Sequence, residues 1–297
     1  MKENFQLSCE STVDLPFSYV DGRNIKVLFY SYFVDGAEYA DDMGRDPAAL
    51  DRFYNFLNEG KIPTTSQINE FAYEEFFRNI LDEGKDVFHI CFGTGMTGSY
   101  YNAVKVADVL KKEYPDRKIV VIDSLCSSSG YGMLVDDVKD MFDEDVESDK
   151  IIDWIEKNKN RIHHQFYSTD LKYYRRTGRM SGPVAGIAAI FRIHPIMRLN
   201  SKGKIIAYTK TIGKAAAIKK TLDTMEEHCD DGKNYSGKCW ICHSNNLPDA
   251  ILTKEKIQER FPNIKSEIKI LDIGTIIASH SGPGTIAVFF HGDERKD

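Results

Sequence analysis

The chain of 297 residues lacks any hydrophobic run long enough to cross a membrane. Its first residues, Met1 to Phe5, also lack an apolar signal segment followed by a small-residue cleavage site. These two absences predict a cytoplasmic protein without an integral membrane segment. Because thiols stay reduced in the cytosol, we expect the six cysteines to be mostly buried thiols and not disulfides.

The motifs of several enzyme classes are missing as well. The absence of a G-x-x-x-x-G-K-[ST] loop disfavours a phosphate-binding kinase, and the absence of a G-x-S-x-G elbow disfavours a serine hydrolase with His280 as its base. The segment Cys239-Trp-Ile-Cys-His243 matches the attachment motif of a c-type haem. It lies within a strand-like run, so packing in a core is the favoured interpretation. The other histidines show no metal-ligand spacing with His280, and we predict no metal site.

Acidic residues are missing from one long segment. Residues 171–220 hold twelve Lys or Arg and no Asp or Glu, so the remaining residues carry −18, which is the total of −6 minus 12. Such a block suits an acidic protein partner or an anionic ligand, and a solvated basic face is the simpler interpretation. Nucleic acid is disfavoured, because the block has no recognisable nucleic-acid-binding motif and the whole chain is acidic.

The chain is long enough for two domains, and with 42% hydrophobic and 28% charged residues it has the composition of a globular protein. Strand-like and helix-like runs alternate up to about residue 160, which predicts a parallel sheet covered by helices. A hairpin signal around residues 200–203 predicts a mixed, partly antiparallel sheet in the second half. We therefore predict an α/β fold with two domains, residues 1–160 and 161–297. The predicted strands are 5–9, 26–34, 86–92, 118–122, 163–168, 194–199, 203–209, 236–243, 264–270 and 285–290, and the predicted helices are 47–58, 69–82, 99–113, 127–141, 148–159, 213–228 and 248–260.

A glycine-rich loop at residues 93–98, Gly-Thr-Gly-Met-Thr-Gly, follows an apolar strand-like run and precedes a helical pattern. Glycines let the backbone approach a ligand, and the start of the next helix favours an anion. The spacing also matches G-x-G-x-x-G. An NAD(P)-dependent oxidoreductase is therefore an alternative, with Asp123 at the end of the next strand as the acidic partner of the cofactor.

Hydroxyl side chains accompany these glycines. Thr94, Thr97 and Ser99 lie in or beside the loop, and a second hydroxyl-rich segment, Thr64-Thr-Ser-Gln67, precedes the previous helix. Because each hydroxyl can donate one hydrogen bond, two such loops suit a carboxylate held without a dedicated Arg or Lys. The simpler interpretation is that these side chains cap helices.

His280 lies in Ser279-His-Ser-Gly-Pro-Gly-Thr285, where the Gly-Pro-Gly turn reverses the chain tightly. An imidazole next to such a turn can donate a hydrogen bond to an anion or hold a loop closed. A structural histidine is the default interpretation of a single residue of this kind.

Seven segments together form a more specific pattern than any motif alone. They are Glu10-Ser-Thr-Val-Asp-Leu-Pro16, Thr64-Thr-Ser-Gln67, residues 93–103, Ile122-Asp-Ser124, residues 171–181, His194-Pro-Ile196 and Ser281-Gly-Pro-Gly-Thr285. In their order and spacing they resemble the DegV family of bacterial fatty-acid-binding proteins over nearly the whole chain.

The resemblance implies two α/β domains with a long-chain fatty acid buried between them. The tail would lie in an apolar tunnel and the carboxylate near the hydroxyl loops. It also implies a carrier that has no cofactor and no catalysis of its own. Some members of the family are the acyl-carrying subunit of a fatty acid kinase, and present the bound carboxylate to a separate ATP-using subunit that makes acyl phosphate for phospholipid synthesis.

Site residues follow from the resemblance by position in this sequence. Thr65, Thr97 and His280 are implied to bind the carboxylate. We expect the basic residues Arg175, Arg176 and Arg179 to dock an acidic partner. The residues of the supporting loops are Ser66, Gly95, Gly98, Ser99, Gly282 and Gly284.

The sequence departs from the family pattern at several positions. Ile68-Asn69 replaces a common Pro-Ser, His194 stands where Lys usually precedes Pro, and Glu10 replaces an Asp. Ile212 replaces a common Arg, which concerns the docking of a kinase more than the binding of a lipid. Thr97 lies where Ser is usual, and because it keeps the hydroxyl we expect carboxylate binding to survive.

Overall fold

A computed structural model describes residues 4–169, 172–181 and 193–297. Leu171 and Arg192, which belong to the segment 171–181 and to the basic block named above, lie outside these residues. The strands of the described residues are β1 (Phe5–Glu10), β2 (Lys26–Leu28), β3 (Ser31–Val34), β4 (Ala37–Ala40), β5 (Thr64–Thr65), β6 (Asp86–Cys91), β7 (Ile119–Asp123), β8 (Ile162–Tyr167), β9 (Met180–Ser181), β10 (Ile193–Leu199), β11 (Ile205–Ile212), β12 (Cys239–His243), β13 (Lys269–Asp272) and β14 (Ile286–His291). The helices are α1 (Phe17–Gly22), α2 (Ala49–Asn58), α3 (Glu70–Asp82), α4 (Ser99–Glu113), α5 (Ser128–Asp143), α6 (Ser148–Asn158), α7 (Lys172–Thr177), α8 (Lys214–His228), α9 (Leu247–Arg260) and α10 (Thr275–Ser281).

The first half forms a parallel sheet of strand order β2-β1-β6-β7, as the alternating pattern predicts. Strand β6 is buried from Val87 to Cys91, which explains its continuous apolar run. The carboxyl ends of β1, β6 and β7 lie at one edge of the sheet. This arrangement makes neighbours of Glu10, the loop 93–98 and Asp123, which all follow or end these strands. Ligands of parallel α/β sheets bind at this edge.

The predicted strand 26–34 is wrong as a single element. The chain leaves the parallel sheet after Leu28, and β3 pairs antiparallel with β4 and β5 in a separate small sheet. Tyr30 causes the break, because its backbone N–H donates to Ser11 Oγ at 3.1 Å and its carbonyl accepts from the amide of Asp41 at 2.9 Å. Thr65, which the sequence places in a loop, lies opposite Tyr32 in this small sheet.

The second half forms a mixed sheet of order β13-β12-β14-β8-β10-β11-β9 in the part of the chain that the structure describes. Its central pairs are antiparallel, whereas β12 with β13 and β11 with β9 are parallel. The hairpin of β10 and β11 confirms the turn signal at residues 200–203, where the amide of Asn200 donates to the carbonyl of Lys204 at 2.9 Å. The predicted mixed α/β sheet is thus confirmed.

Helix α5 connects the two sheets. It follows β7 of the parallel sheet and packs on β8, β12 and β14 of the mixed sheet. The apolar core of the first half consequently continues through Tyr131 and Leu134 to Trp240 and Phe289. A second core behind the mixed sheet includes Ile241 and is covered by α8 and α9.

The sequence pattern does not predict two short helices, and it places one strand at the wrong residues. Helices α7 and α10 are six and seven residues long, too short to show a helical period, and α10 begins with β-branched residues. The strand predicted at 264–270 is found at Lys269–Asp272. His280 therefore lies in the last turn of a helix that ends at Ser281, and the φ of +67° at the following Gly282 reverses the chain.

The six cysteines are buried free thiols, as expected. In β12, Trp240 and Cys242 pack in the first core while Cys239 and Ile241 pack in the second, which confirms the alternation expected of a strand. Among the described residues, no helix is both long and apolar enough to cross a membrane.

A charged cluster links α5 to the start of β12. The Nζ atom of Lys238 lies 2.7 Å from Asp136 Oδ2, 2.7 Å from Asp137 Oδ1 and 2.8 Å from Asp140 Oδ2. Arg23 also bonds Asp136 and lies 2.6 Å from Asp140 Oδ1. Asp136 is 5% exposed, so its charge depends on these two cations for compensation.

We expect Lys238→Met to lower the free energy of unfolding by about 3 kcal/mol, because it leaves the buried Asp136 and its neighbours with one cation instead of two. Urea denaturation measures this change. The matched control is Lys256→Met, which removes an exposed ion pair with Glu259 and should cost less than about 1 kcal/mol. Equal effects of the two substitutions would contradict the role of the cluster.

Candidate functional site

A cavity of about 760 Å³ lies between the two sheets. This volume is within the range of sites that enclose a small molecule. Side chains of both halves line it, and its lining includes both predicted hydroxyl loops and His280. The apolar part of the wall consists mainly of Phe92, Met96, Phe166, Leu199, Ile205, Ile273, Ile276, Ile277, Ala287 and Phe289.

Thr65 and His280 meet at this cavity across a long sequence separation. Thr65 Oγ1, at the end of β5, lies 2.7 Å from Nε2 of His280 in the last turn of α10. The Nδ1 atom of His280 is buried and has no hydrogen-bond partner among the described residues. The contact joins the first half of the chain to the second.

His280 is neutral at pH 7. Burial, together with the positive charges of Arg179 and Arg176, lowers the pKa of its imidazole to about 4. A neutral imidazole and a hydroxyl carry two polar hydrogens, and their mutual hydrogen bond uses only one of them. One polar hydrogen of the pair is therefore left uncommitted, on the Thr65 hydroxyl when Nε2 of His280 is protonated and on the buried Nδ1 atom when it is not.

Two buried carboxyl groups of the first half hold the start of α10. Asp14 Oδ1 accepts from the amide of Gly274 at 3.0 Å, and Asp41 Oδ1 accepts from the hydroxyl of Thr275 at 3.0 Å. A Cβ atom on Gly274 would lie 2.7 Å from Asp14 Oδ1, so glycine lets the carboxyl group approach. Burial raises the pKa of Asp41 to about 6 and that of Asp14 well above its usual range. These contacts fix the helix that carries His280.

Thr97 faces the cavity from the other hydroxyl loop. Its Oγ1 atom lies 3.0 Å from the Oγ atom of Ser99, which is fully buried behind it. Ser99 in turn contacts Tyr30 and the backbone of Ile68. Thr97 and the pair of Thr65 and His280 line the same cavity without a direct hydrogen bond between them.

The first amides of the glycine-rich loop bond to the protein itself. The amide of Gly93 donates to the carbonyl of Cys126 at 3.0 Å, and the amide of Thr94 donates to Asp123 Oδ1 at 3.0 Å. A Cβ atom on Gly95 would lie 2.2 Å from the carbonyl oxygen of Gly203. Because the loop packs against protein backbone and Asp123 holds the loop, this geometry gives no support to a dinucleotide site.

The remaining supporting residues differ in their positions. Ser66, Gly95 and Gly98 line the cavity with Thr65 and Thr97, whereas Ser99 lies behind it. Gly282 and Gly284 lie outside the lining and have φ angles of +67° and +86°. Cβ atoms there would come within 2.1 Å of Tyr173 and of Thr169, so these glycines let the turn pack against Tyr173 of α7 and against Thr169.

The basic block is divided among several environments. Arg175, Arg176 and Arg179 are exposed, and none of them makes an ion pair with a residue that the structure describes. Arg179 also lines the cavity. Other members are neutralised locally, since Lys214 lies 2.5 Å from Asp249 Oδ1 and Lys219 lies 2.6 Å from Asp223 Oδ2.

Folding also brings together groups that sequence spacing does not reveal. Asp293 Oδ1 lies 3.1 Å from both His163 Nε2 and His228 Nδ1, although no metal-ligand spacing connects the two histidines. Hydrogen bonds account for these contacts, and the three residues lie away from the cavity lining. Tyr30, which lines the cavity, carries no signal in the sequence because its partners are distant along the chain.

Comparisons with known proteins give a consistent assignment. A family model for uncharacterised proteins of the DegV family matches residues 4–293. A DegV domain-containing protein of Clostridium perfringens is 31% identical over 296 residues, which cover 99% of each chain.

Solved structures share the fold. A DegV family protein from Thermus thermophilus, described as binding fatty acid, superposes with a TM-score of 0.85 at 22% identity, over 98% of this chain and 100% of that one. The fatty acid kinase B3 protein of Streptococcus pneumoniae, loaded with linoleic acid, gives 0.82 at 18% identity over 98% and 100% of the two chains. Because both sequence identities are below 25%, these two superpositions show a shared fold and nothing about function. The match over nearly the whole sequence and the identity to the clostridial protein show that the chain belongs to the DegV family.

Proposed function

We propose that this protein is a cytoplasmic carrier that binds a long-chain fatty acid in the cavity between its sheets and catalyses no reaction itself. The observation that carries the proposal is an apolar cavity of about 760 Å³ in which Thr65, Thr97 and His280 provide the hydrogen-bond donors. In this proposal residues 161–297 close over an acid held by the loops of residues 1–160. No cofactor is part of it.

The energetics suit a ligand with a long tail and a small polar head. A tail of about fifteen methylenes at ~0.8 kcal/mol each gives on the order of 12 kcal/mol before ordering costs. The head group must then find partners, because a buried carboxylate without hydrogen bonds is costly. The uncommitted hydrogen of the Thr65 and His280 pair and the hydroxyl of Thr97 supply them without a buried cation. Relatives of the same fold that are described as binding or loaded with fatty acids support this assignment.

We further propose that the carrier presents the carboxylate to a separate fatty acid kinase subunit, which forms the acyl phosphate. The exposed guanidinium groups of Arg176 and Arg179 both lower the pKa of His280, and Arg179 also lines the cavity. Arg175 is exposed next to Arg176 on α7. Free basic groups at the opening of the site suit an acidic surface of a partner. The fatty acid kinase protein among the structural relatives supports this role.

Removing the two donors tests the binding proposal. We expect Thr65→Ala combined with Thr97→Val to weaken palmitate binding by on the order of 100-fold, because two hydrogen bonds to a charged group are lost. Isothermal titration of the delipidated protein measures the dissociation constant. Thr253→Val removes a buried hydroxyl from α9, outside the cavity, and should leave the affinity unchanged. Unchanged palmitate affinity in the double variant would overturn the assignment of the head-group site.

Charge reversal tests the docking proposal. We expect replacement of Arg175, Arg176 and Arg179 by Glu to reduce acyl-phosphate formation by the cognate kinase subunit at least tenfold, because repulsion replaces attraction at the interface. Palmitate affinity should change much less than kinase activity. The control reverses three exposed lysines of α4, namely Lys105, Lys111 and Lys112.

The control gives the same change in net charge on another surface, and kinase activity should survive it. Full activity of the arginine variant would rule out docking through these residues. Equal losses in the two variants would show an effect of net charge and would equally contradict the proposal.

A further inference from the structure

A row of buried hydroxyl groups leads from the parallel sheet to the cavity. Tyr30 is 3% exposed and its hydroxyl lies 2.8 Å from the Oγ atom of Ser99. The Oγ atom of Ser99 lies 3.0 Å from Oγ1 of Thr97, which borders the cavity. Each oxygen is therefore within hydrogen-bond distance of the next.

The hydrogen bonds of Ser99 set the direction of this row. Its Oγ atom accepts from the hydroxyl of Tyr30 at 2.8 Å and from the amide of Ile68 at 3.1 Å. A hydroxyl oxygen has two lone pairs, so both are occupied. The hydrogen of Ser99 is then donated to Thr97 Oγ1, the neighbouring oxygen at 3.0 Å.

Thr97 is occupied in the same way. Its Oγ1 atom accepts the hydroxyl hydrogen of Ser99 and also lies 3.3 Å from the amide of Ser99. With both lone pairs in use, its own hydrogen can bond to the hydroxyl oxygen of Tyr30 or to an acceptor in the cavity. A carboxylate in the cavity is the stronger of these two acceptors, because it is charged. Hydrogen bonds in a chain also polarise one another, which strengthens the last donor.

Glu10 is the competing acceptor for the hydrogen of Tyr30. Its Oε2 atom lies 3.2 Å from the Tyr30 hydroxyl, compared with 2.8 Å for Ser99. That oxygen already accepts from the amide of Phe92 at 2.9 Å, and the other carboxylate oxygen accepts from Tyr73. The contact that is shorter by 0.4 Å favours donation from Tyr30 to Ser99.

We propose that Tyr30 is a positioning residue that acts through Ser99 to point the hydrogen of Thr97 into the cavity, and thereby selects a carboxylate head group. The inference rests on the proposed binding of fatty acid. It adds that Tyr30 contributes to specificity without bonding the ligand through its hydroxyl. An ester, which carries no charge, gains less from an oriented donor than a carboxylate does.

Tyr30→Phe tests the proposal, because it keeps the ring that lines the cavity and removes the donor. We expect palmitate affinity to fall about fivefold, and methyl palmitate affinity to fall by a smaller factor, so that selectivity for the acid decreases. Tyr73→Phe is the matched control. It also removes a buried hydroxyl bonded to Glu10, but this hydroxyl does not contact Ser99, and both affinities should be unchanged.

A double-mutant cycle separates positioning from a general packing effect. If Tyr30 acts through Thr97, Tyr30→Phe should change palmitate affinity less than about twofold in a Thr97→Val background. The same loss in both backgrounds would overturn the proposal, as would equal losses for the acid and its methyl ester. If Tyr30→Phe fails to fold by thermal denaturation, Ser99→Ala replaces it in the cycle, with the same expected and contradicting results. Failure of the wild-type protein to bind palmitate would instead contradict the proposed function itself.

Discussion

The need to pair every buried polar hydrogen constrains this molecule more than any single contact. Two sheets bury apolar faces around one cavity, so each hydroxyl, amide and imidazole group beside it must bond within the protein or to a ligand. Several of them bond within the protein, including the amides of Gly93 and Thr94 in the glycine-rich loop. Near the proposed head group, one hydrogen of the pair of Thr65 and His280 and the hydrogen of Thr97 are left for a ligand. The proposed carboxylate would complete this set.

The electrostatics agree with that count. Burial, helped by the charges of Arg179 and Arg176, lowers the pKa of His280, so the imidazole stays neutral while the arginines themselves remain exposed. The cavity is thus positive near its border and neutral where the head group is proposed to lie. A long-tailed anion would be attracted by the field, held by neutral donors and retained by its tail. The same arginines stay accessible to a protein partner.

Sequence and structure agree where local pattern decides the outcome. The apolar run of β6 and the hairpin of β10 and β11 could be predicted, because burial on both faces and turn chemistry leave direct signals. The break at Tyr30 could not, since it depends on hydrogen bonds to Ser11 and Asp41 from other parts of the chain. Helix α10 is too short to show a helical period, so the sequence predicts a turn at His280 and not a helix.

The site divides in the same way. Motifs and the resemblance to a family predict Thr65, Thr97 and His280 as site residues, and the three residues line one cavity. The role of Tyr30 needs its distance to Ser99, which is 69 residues away, and no spacing rule supplies it. The basic block shows the opposite case. A continuous positive run in sequence becomes several separate groups, because Lys214 and Lys219 find acids on α8 and α9.

The central claim is that the cavity holds a fatty acid. The most direct measurement is organic extraction of the purified, denatured protein followed by mass spectrometry of the extract, with a parallel titration of the delipidated protein. We expect close to one long-chain fatty acid per chain, and recovery of binding on titration. An extract without fatty acid, together with no binding of added acid, would contradict the claim.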